Sequence, residues 1–322
     1  MSIEEMKELA PKKEVMFWNV HEICQMEGFW FLAHLMESMV AFRSDFQPRS
    51  EDVLITSFPK TGTTWLMALC HNILHRHDNR EEDDILTRMN LHEVVPTLDV
   101  FFLTDQVQNL LLNSGGGRLL HTHLPYTCLP ESVRNSGCKI VHVTRNPKDT
   151  LVSMWHFFNK VLKRDPTATG PFPMEGAVES FCTGVLPWGP FHENVVSYWE
   201  ESKKRPDEVL FLKYEDMCRD PKKEVRKLAS FLGKPFPPTS VNGGVDEEVE
   251  KVLWRSSLGR LRELEVNKNN VVSELTQISN SSYFRKGTVG DWKNYLTPQM
   301  AERVDQLTQL KLQGTGLSLD DF

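Results

Sequence analysis

The segment from Val53 to Trp65 constrains the fold of this chain more than any other. Val53-Leu54-Ile55-Thr56 is an apolar, strand-forming run, and a short loop of Pro, Lys, Gly and Thr residues follows it. Apolar residues then recur at helical spacing from Leu66 to Ile73. A strand that enters a helix through such a loop directs free backbone N–H groups and the positive helix end at one point. The segment therefore predicts a phosphate-binding loop.

The order of residues in this loop separates it from a Walker A loop. In Walker A the Lys follows the last Gly, and the next Ser or Thr binds Mg²⁺. Here Lys60 precedes Gly62. Gly62 lets the backbone approach a ligand, and the hydroxyls of Thr61, Thr63 and Thr64 add donors. By itself the loop leaves two interpretations open: a phosphate loop of another class, or an ordinary strand–turn–helix junction.

A second anion-binding feature follows the apolar run at 139–144. Asn146 as N-cap, Pro147 at the first helical position and Asp149 in the first turn predict a helix start. Arg145 stands at the strand end, and Ser153 lies two turns along near the same helix face. Both side chains can therefore converge on one anion. A P-loop NTPase carries an acidic, Mg²⁺-binding residue after such a strand, so Arg145 disfavours that class.

Further candidates come from two other segments. Arg285 and Lys286 are adjacent cations before Gly287, in a stretch without helical period. They predict a loop that closes over phosphate, the alternative being a solvated basic turn. His123 follows the predicted strand 118–122, and α/β sheets bind ligands at the carboxyl ends of their strands. His71 and His75 have the i, i+4 spacing of metal ligands but no accompanying HExxH glutamate, so no metal site is expected.

Tyr214 comes directly after the predicted strand 209–213 and offers a platform for stacking a base. Glu215 and Asp216 follow it. We interpret these two carboxylates as the first turn of a helix, with metal binding as the minority interpretation.

The elements alternate along the chain. Strand candidates at 53–57, 118–122, 139–144 and 209–213 are separated or followed by helical patterns at 63–77, 147–163, 191–204, 221–232, 247–264 and 298–310. This alternation predicts an α/β fold, a single domain with a central parallel sheet flanked by helices. We expect 1–48 to be an N-terminal segment packed on the core, within which 28–42 forms an amphipathic helix, and 49–322 to be the main domain. The irregular segments 165–190 and 265–292 predict lids or binding loops.

Composition excludes several classes of protein. A formal net charge of −7 argues against a general nucleic-acid binder. No apolar run is long enough for a membrane span, and 1–13 does not resemble a secretory signal. The six cysteines form no CxxC pair. We therefore predict a soluble cytoplasmic protein without nucleic-acid or membrane partners.

In chain order, these motifs resemble the cytosolic sulfotransferase family, and the plant enzymes most closely. The matching segments are Phe58-Pro59-Lys60-Thr61-Gly62-Thr63-Thr64-Trp65, Thr122-His123-Leu124-Pro125, Arg145-Asn146-Pro147-Lys148-Asp149 through Ser153, Tyr214-Glu215-Asp216 and Arg285-Lys286-Gly287 through Lys293. The resemblance implies a sulfotransferase that uses 3′-phosphoadenosine 5′-phosphosulfate (PAPS), without metal. The acceptor would be a small, largely apolar molecule with a hydroxyl or oxime group.

The resemblance also implies a role for each candidate. Lys60, Thr61, Gly62, Thr63, Thr64 and Trp65 would hold the 5′-phosphate end, with Trp65 near the adenine. The 3′-phosphate would be held by Arg145, Ser153, Arg285, Lys286 and Gly287. Tyr214 would contact the adenine. His123 would be the catalytic base, and Lys60 would stabilise the leaving phosphate.

Three positions depart from the family pattern. His121 stands where a Lys is frequent, so contacts to the sulfate are either weaker or made by His121. Leu258 replaces an aromatic that often encloses the adenine. The dimer-type pattern appears as Lys293, Thr297, Pro298 and Glu302, with Pro in place of Val, which indicates a monomer or weak homodimer.

The sequence leaves alternatives open both for the residues that bind the acceptor and for the class of reaction. Five aromatic residues are candidates to line an acceptor cavity, with core packing the alternative for each: Phe101, Phe102, Phe157, Phe158 and Trp188. A nucleotide kinase-like phosphoryl transferase and a non-catalytic protein that binds PAPS or its product PAP are the competing functions.

Overall fold

A computed structural model of the protein describes residues 14–76, 84–162, 170–237, 244–268 and 278–319. The sequence expectations for 1–13, for the helix ends at His77 and Lys163, and for parts of the two irregular segments (165–169 and 269–277) lie outside the described residues.

A four-stranded parallel sheet lies at the centre of the fold. Its strands are β4 (Val53–Ser57), β5 (Leu119–Thr122), β6 (Lys139–Thr144) and β7 (Val209–Lys213), in the spatial order β5-β4-β6-β7. All three pairings are parallel, which confirms the predicted α/β sheet. Because the strands are parallel, the loops after all four strands meet at one edge, and these loops contain Lys60, His123, Arg145 and Tyr214.

Both faces of this sheet are buried. Leu54, Leu120 and Ile140 point into one hydrophobic cluster, whereas Ile55, Val141 and Val143 point into another on the opposite face. This alternation follows from the two-residue period of a strand. It explains why the strands read as continuous apolar runs instead of alternating apolar and polar residues.

Helices surround the sheet. The α-helices are α1 (Met36–Asp45), α2 (Thr63–Leu74), α3 (Leu91–Val94), α4 (Leu98–Phe101), α5 (Asp105–Asn113), α6 (Glu131–Arg134), α7 (Pro147–Leu162), α8 (Met174–Thr183), α9 (Phe191–Lys204), α10 (Tyr214–Arg219), α11 (Pro221–Phe231), α12 (Gly244–Arg255), α13 (Leu258–Glu263), α14 (Glu265–Lys268) and α15 (Pro298–Leu312). Single 3₁₀ turns span Ala33–Leu35, Ile85–Thr87, Tyr126–Cys128, Asn280–Tyr283 and Asp291–Asn294. Glu215 and Asp216 lie in the first turn of α10, as predicted.

The structure corrects three sequence predictions. The expected helix 28–42 begins instead with a strand, because Glu27 and Gly28 adopt positive φ and turn the run Phe29–Leu32 back on the strand His21–Met26. The expected helix 247–264 is two helices, since Ser257 caps a new start by accepting the N–H of Arg260 at 3.3 Å. The segment 165–190, expected to be irregular, contains α8.

The N-terminal strands form a separate antiparallel sheet, β1 (Glu14–Phe17), β2 (His21–Met26) and β3 (Phe29–Leu32). Its Phe31 and Ile23 belong to the same hydrophobic cluster as Leu54 of the central sheet. A backbone hydrogen bond also links Trp188 to this sheet: the backbone N–H of Trp188 donates to the Trp30 carbonyl at 2.6 Å. This sheet therefore helps to place Trp188 beside the carboxyl edge of the central sheet.

Within the described ranges, none of the helices has the length and apolar character needed to cross a bilayer. The same residues contain no group of three or more His, Cys, Asp or Glu side chains arranged to hold a metal ion.

Candidate functional site

A cavity of about 480 Å³ lies where the loops after the central strands meet. Its described lining includes nearly all of the predicted site residues: Lys60, Gly62, Thr63, Thr64, Trp65, His123, Arg145, Ser153, Tyr214, Arg285, Lys286 and Gly287. Thr61 is the exception. Its Oγ1 lies 2.7 Å from the Phe58 carbonyl oxygen and 2.9 Å from that of Val143. The Thr61 hydroxyl therefore ties the loop to the sheet and does not line the cavity.

The loop after β4 has the backbone of an anion cradle. Lys60 and Gly62 have φ of 70° and 113°, and α2 begins directly after Gly62. The first backbone bond of α2 runs from the Leu66 N–H to the Gly62 carbonyl, so the N–H groups of Thr63, Thr64 and Trp65 have no acceptor within the helix. A Cβ at Gly62 would lie 2.6 Å from Tyr214 Cδ2. Glycine therefore satisfies both the backbone geometry and the close approach of Tyr214.

Lys60 is a cation in largely apolar surroundings. Its Nζ lies 4.1 Å from the ring centroid of Phe157 and 5.7 Å from that of Tyr283. Burial, together with the positive charges of Arg285, Lys160 and Arg145, lowers the pKa of Lys60 to about 7. No Asp or Glu is found among the described residues that line the cavity. The positive charge of this cavity is therefore poised for an anionic ligand.

Arg145 is buried and only partly satisfied. Its Nη2 donates to the Thr288 carbonyl at 2.7 Å and lies 3.3 Å from Asp149 Oδ2. Its guanidinium stands 4.7 Å from the ring centroid of Tyr214. The Nε atom is buried without a hydrogen-bond partner among the described residues. A buried N–H donor without a partner is suited to donate a hydrogen bond to a phosphate oxygen.

Arg285 and Lys286 pair with an acidic residue that the sequence analysis did not single out. Arg285 forms an ion pair with Asp291, and Lys286 Nζ lies 2.7 Å from Asp291 Oδ1. Despite partial desolvation, hydrogen bonds from Lys286 and Arg285 hold the pKa of Asp291 far below its usual range. The Tyr214 hydroxyl donates to the Gly287 carbonyl at 2.9 Å. The Tyr214 hydrogen bond holds the predicted basic loop against the Tyr214 side chain, and Asp291 holds the two cations of that loop together.

Asp149 anchors the same loop from the other side. Its Oδ2 accepts the Gly290 N–H at 2.7 Å, and its Oδ1 accepts the Trp292 N–H at 3.0 Å. The position of Asp149 in the sequence predicts only a first-turn helix residue. Arg145, four residues earlier, could have indicated this role, because an Arg and an Asp at that spacing can form an ion pair, as they do here.

Among the described residues, the His123 ring makes its hydrogen bond through one nitrogen. Its Nδ1 lies 2.8 Å from the Ser57 carbonyl oxygen, and because a carbonyl only accepts, Nδ1 carries the proton. In a neutral ring Nε2 then has a lone pair. Burial lowers the pKa of His123, with Lys60 adding to the effect, while Asp99 and the Ser57 hydrogen bond oppose it. A neutral imidazole with an unprotonated Nε2 suits a general base.

Asp99 is a buried carboxylate that no sequence motif singles out. Its Oδ1 accepts the Thr122 hydroxyl at 2.7 Å and the His123 backbone N–H at 3.0 Å. Its Oδ2 accepts the indole N–H of Trp188 at 2.8 Å. Three neutral donors thus satisfy this buried carboxylate beside His123. It also links the His123 loop to the Trp188 wall of the cavity.

His121 lies beneath the cavity. Its Nδ1 is 3.0 Å from Thr97 Oγ1, and its Nε2 is 3.1 Å from Ser57 Oγ. The ring is fully buried and is not part of the cavity lining. Of the two alternatives for His121, these contacts favour weaker sulfate binding, because both ring nitrogens already contact hydroxyls of the protein.

Aromatic side chains form much of the remaining wall. Phe101, Phe157, Phe158 and Trp188 line the cavity, as does Leu258. Phe102 does not; it is buried against Phe42 and Phe46. His92 was not foreseen: it lines the cavity, stacks on Tyr283 at 3.9 Å between centroids, and places Nε2 3.1 Å from Thr64 Oγ1.

The cavity thus brings a strand–loop–helix anion cradle, several cations and a histidine together at the carboxyl edge of a parallel sheet. A family model described as the sulfotransferase domain matches residues 50–316, and the chain belongs to this family. Cytosolic sulfotransferase 5 of Arabidopsis thaliana is 40% identical over 298 residues, which is 92% of this chain and 90% of the relative. The chain is therefore a sulfotransferase of the plant cytosolic type, as the motifs indicated.

Two further comparisons agree. Flavonol 3-sulfotransferase of Flaveria bidentis is 39% identical over 297 residues, covering 91% of this chain and 92% of the relative. The crystal structure of a mouse sulfotransferase complexed with PAP superposes with a TM-score of 0.67 and 28% identity, covering 91% of this chain and 94% of the mouse chain. The alternative of a kinase-like phosphoryl transferase is accordingly set aside.

Proposed function

We propose that the protein transfers the sulfuryl group of PAPS to a hydroxyl or oxime of a small, largely apolar acceptor. The observation that carries this proposal is one cavity lined by the loop of Lys60, by Arg145 and by His123. The similar mouse enzyme is complexed with PAP, which supports PAPS as the cosubstrate here. Cations supply the charge stabilisation, because a transferring sulfuryl group carries less negative charge than a phosphoryl group and needs no divalent ion.

For the donor, we assign the 5′-phosphate end to Lys60 and to the free N–H groups and hydroxyls of Thr63 and Thr64, with Gly62 permitting close approach. Arg145, Ser153, Arg285, Lys286 and Gly287 would hold the 3′-phosphate. Trp65 and Tyr214 would enclose the adenine, and their rings meet edge to face at 5.5 Å. The unpartnered Arg145 Nε and the absence of acidic side chains from the described lining support this assignment.

The acceptor hydroxyl loses its proton as it attacks. We assign His123 Nε2 as the group that accepts this proton, since Nδ1 is committed to Ser57. Such general-base help is worth about 10²–10⁴-fold in rate. Asp99 stabilises the positive charge that His123 then carries. When bound, PAPS supplies an electrophilic sulfur whose leaving group is a phosphate, and Lys60 lies where it can stabilise the charge on that phosphate.

The acceptor, the location and the assembly are further parts of the proposal. The aromatic wall suits a flat, hydroxylated aromatic molecule, and the similarity to a flavonol 3-sulfotransferase supports this class. The similarity to enzymes named cytosolic supports a cytoplasmic location.

We propose one globular domain, with 1–48 packed on 49–322. We also propose a monomer or weak homodimer, because Pro298 interrupts the dimer-type pattern and starts α15.

Calorimetry on EDTA-treated protein tests this function. PAP should bind and ATP should bind at least tenfold more weakly, because the 3′-phosphate contacts would be lost. Sulfation of phenols from PAPS should then be seen by mass spectrometry, and His123→Ala should reduce kcat at least a hundredfold while leaving PAP affinity intact. Tighter binding of ATP than of PAP, or full activity in His123→Ala, would contradict the proposal.

A further inference from the structure

Two histidines of the N-terminal sheet line the same cavity. β2 and β3 pair with Ile23 opposite Leu32. His21 is the first residue of β2, and His34 lies in the 3₁₀ turn that directly follows β3. Their ring centroids are 6.2 Å apart, and both residues line the cavity. The β2–β3 hairpin and the turn after it therefore bring the two histidines together, which no local motif in the sequence reveals.

The surroundings of this pair are apolar. Leu32 and Leu35 line the cavity from the same sheet and turn, and Val100 and Phe101 line it from α4. In a largely apolar pocket, a few polar groups fix the orientation of the ligand. His21 and His34 come from the N-terminal sheet and the turn after it, whereas Lys60, His123 and Arg145 follow strands of the central sheet.

We propose that His21 and His34 form a subsite for a second oxygen of the acceptor, a carbonyl or carboxylate oxygen remote from the hydroxyl that is sulfated. This inference rests on the proposed function, because it names the class of acceptor for the same cavity. With hydrogen bonds of about 2.9 Å on each side, one oxygen can lie between two imidazoles at this separation. The described lining holds no acidic side chain, so an electron-rich oxygen meets no repulsion there.

Three matched acceptors test the subsite: 4-hydroxybiphenyl, its 4′-carboxylic acid and the methyl ester of that acid. Wild-type protein should prefer one or both oxygenated acceptors, with a ratio of kcat/KM to the parent phenol of about five or more, the worth of one hydrogen bond. Preference for both would indicate a neutral oxygen. Preference for the acid alone would indicate a carboxylate.

His34→Phe and His21→Phe keep a ring but remove its nitrogens, and each should bring that ratio close to one. His34→Gln retains an N–H donor and should preserve part of the preference, which also guards against a misfolded Phe variant. Leu35→Met is the matched control: it reshapes the same cavity without changing polarity, and it should alter the three acceptors alike.

Equal use of the three acceptors by the wild type, or equal losses for all three in the His variants, would overturn the subsite. PAP binding without sulfation of any of the three would also count against it. Loss of PAP binding in folded wild-type protein would instead contradict the proposed function itself, so the two failures are distinguishable.

Discussion

Trp188 donates its indole N–H to the buried carboxylate of Asp99 at 2.8 Å. The other oxygen of this carboxylate accepts the backbone N–H of His123 at 3.0 Å. One charge thus fixes a wall of the acceptor cavity and the loop of the proposed base. Because Asp99 makes no described hydrogen bond to the imidazole itself, its effect on His123 is electrostatic and positional, and these two effects can be separated by substitution.

The first prediction isolates the charge of Asp99. In a Trp188→Phe background, Asp99→Asn should lower the pKa of His123, because the Asp99 carboxylate acts to raise it. The acid limb of kcat/KM against pH should then move to lower pH, while the plateau falls about three- to tenfold since the base is weaker. The background substitution matters because an Asn amide would otherwise face the indole N–H, donor against donor.

Trp188→Phe alone is the control for this prediction. It loses the same indole hydrogen bond but keeps the carboxylate, so its acid limb should stay at the wild-type pH. Thermal unfolding of both variants checks that the fold is retained. An acid limb that stays in place, or moves to higher pH, in the double variant would show that the Asp99 charge does not act on His123.

Lys60 was predictable from the sequence, whereas Asp99 was not, and the distance along the chain to their partners explains the difference. Lys60, Gly62 and the strand before them are adjacent in the chain, so one local pattern predicted the strand, the turn and the helix start. The donors to Asp99 come from Thr122, His123 and Trp188, which lie 23 to 89 residues away. A lone Asp in an apolar run gives no local sign of partners at that distance.

The N-terminal sheet was missed for a related reason. Between residues 28 and 42 the apolar spacing is compatible with a helix, and only the positive φ of Glu27 and Gly28 turns Phe29–Leu32 into a hairpin strand. The location of His123 was predictable, by contrast, because the carboxyl ends of parallel strands lie at the same edge of the sheet.

The second prediction concerns Gly62. Gly62→Ala should weaken PAP binding about tenfold or more, because the new Cβ would lie 2.6 Å from the Tyr214 ring in a backbone with φ of 113°. Gly290→Ala is the matched control: it also has positive φ, 82°, but nothing lies within 4 Å of its added Cβ. Gly290→Ala should lose about 1 kcal/mol of stability from backbone strain alone, and Gly62→Ala should lose more because its Cβ also meets the Tyr214 ring. Equal PAP affinities in the two variants would contradict the role given to the Gly62–Tyr214 contact.

The third prediction separates charge from geometry at Arg145. Arg145→Lys keeps a cation but loses the planar fork that contacts Thr288 and Asp149. We expect KM for PAPS to rise about tenfold or more, as for loss of a hydrogen bond to a charged group, with KM for the acceptor nearly unchanged. Initial rates with each substrate varied in turn measure both constants. A rise confined to the acceptor KM would reassign Arg145 to the acceptor side.

The fourth prediction follows from the pKa of Lys60, about 7 in the free protein. Above that pH its amine is mostly neutral, and a bound phosphate favours the ammonium form. PAP binding at pH 8 should therefore take up a proton, and affinity should fall by up to about tenfold per pH unit as pH rises further. Calorimetry in two buffers of different ionisation enthalpy measures this uptake. Lys60→Arg stays charged and should abolish the uptake attributed to Lys60.

The same shift has a consequence for stability. Because folding lowers the pKa of Lys60 from 10.5 to about 7, the folded state is penalised fully below pH 7, and the penalty fades as pH rises towards 10.5. Lys60→Met should therefore raise the Tm of the nucleotide-free protein, and by more at pH 6 than at pH 9. It should also weaken PAP binding at pH 6. A Tm gain that is equal at both pH values would mean that the Lys60 amine titrates normally, and the proton uptake predicted for PAP binding would then be absent.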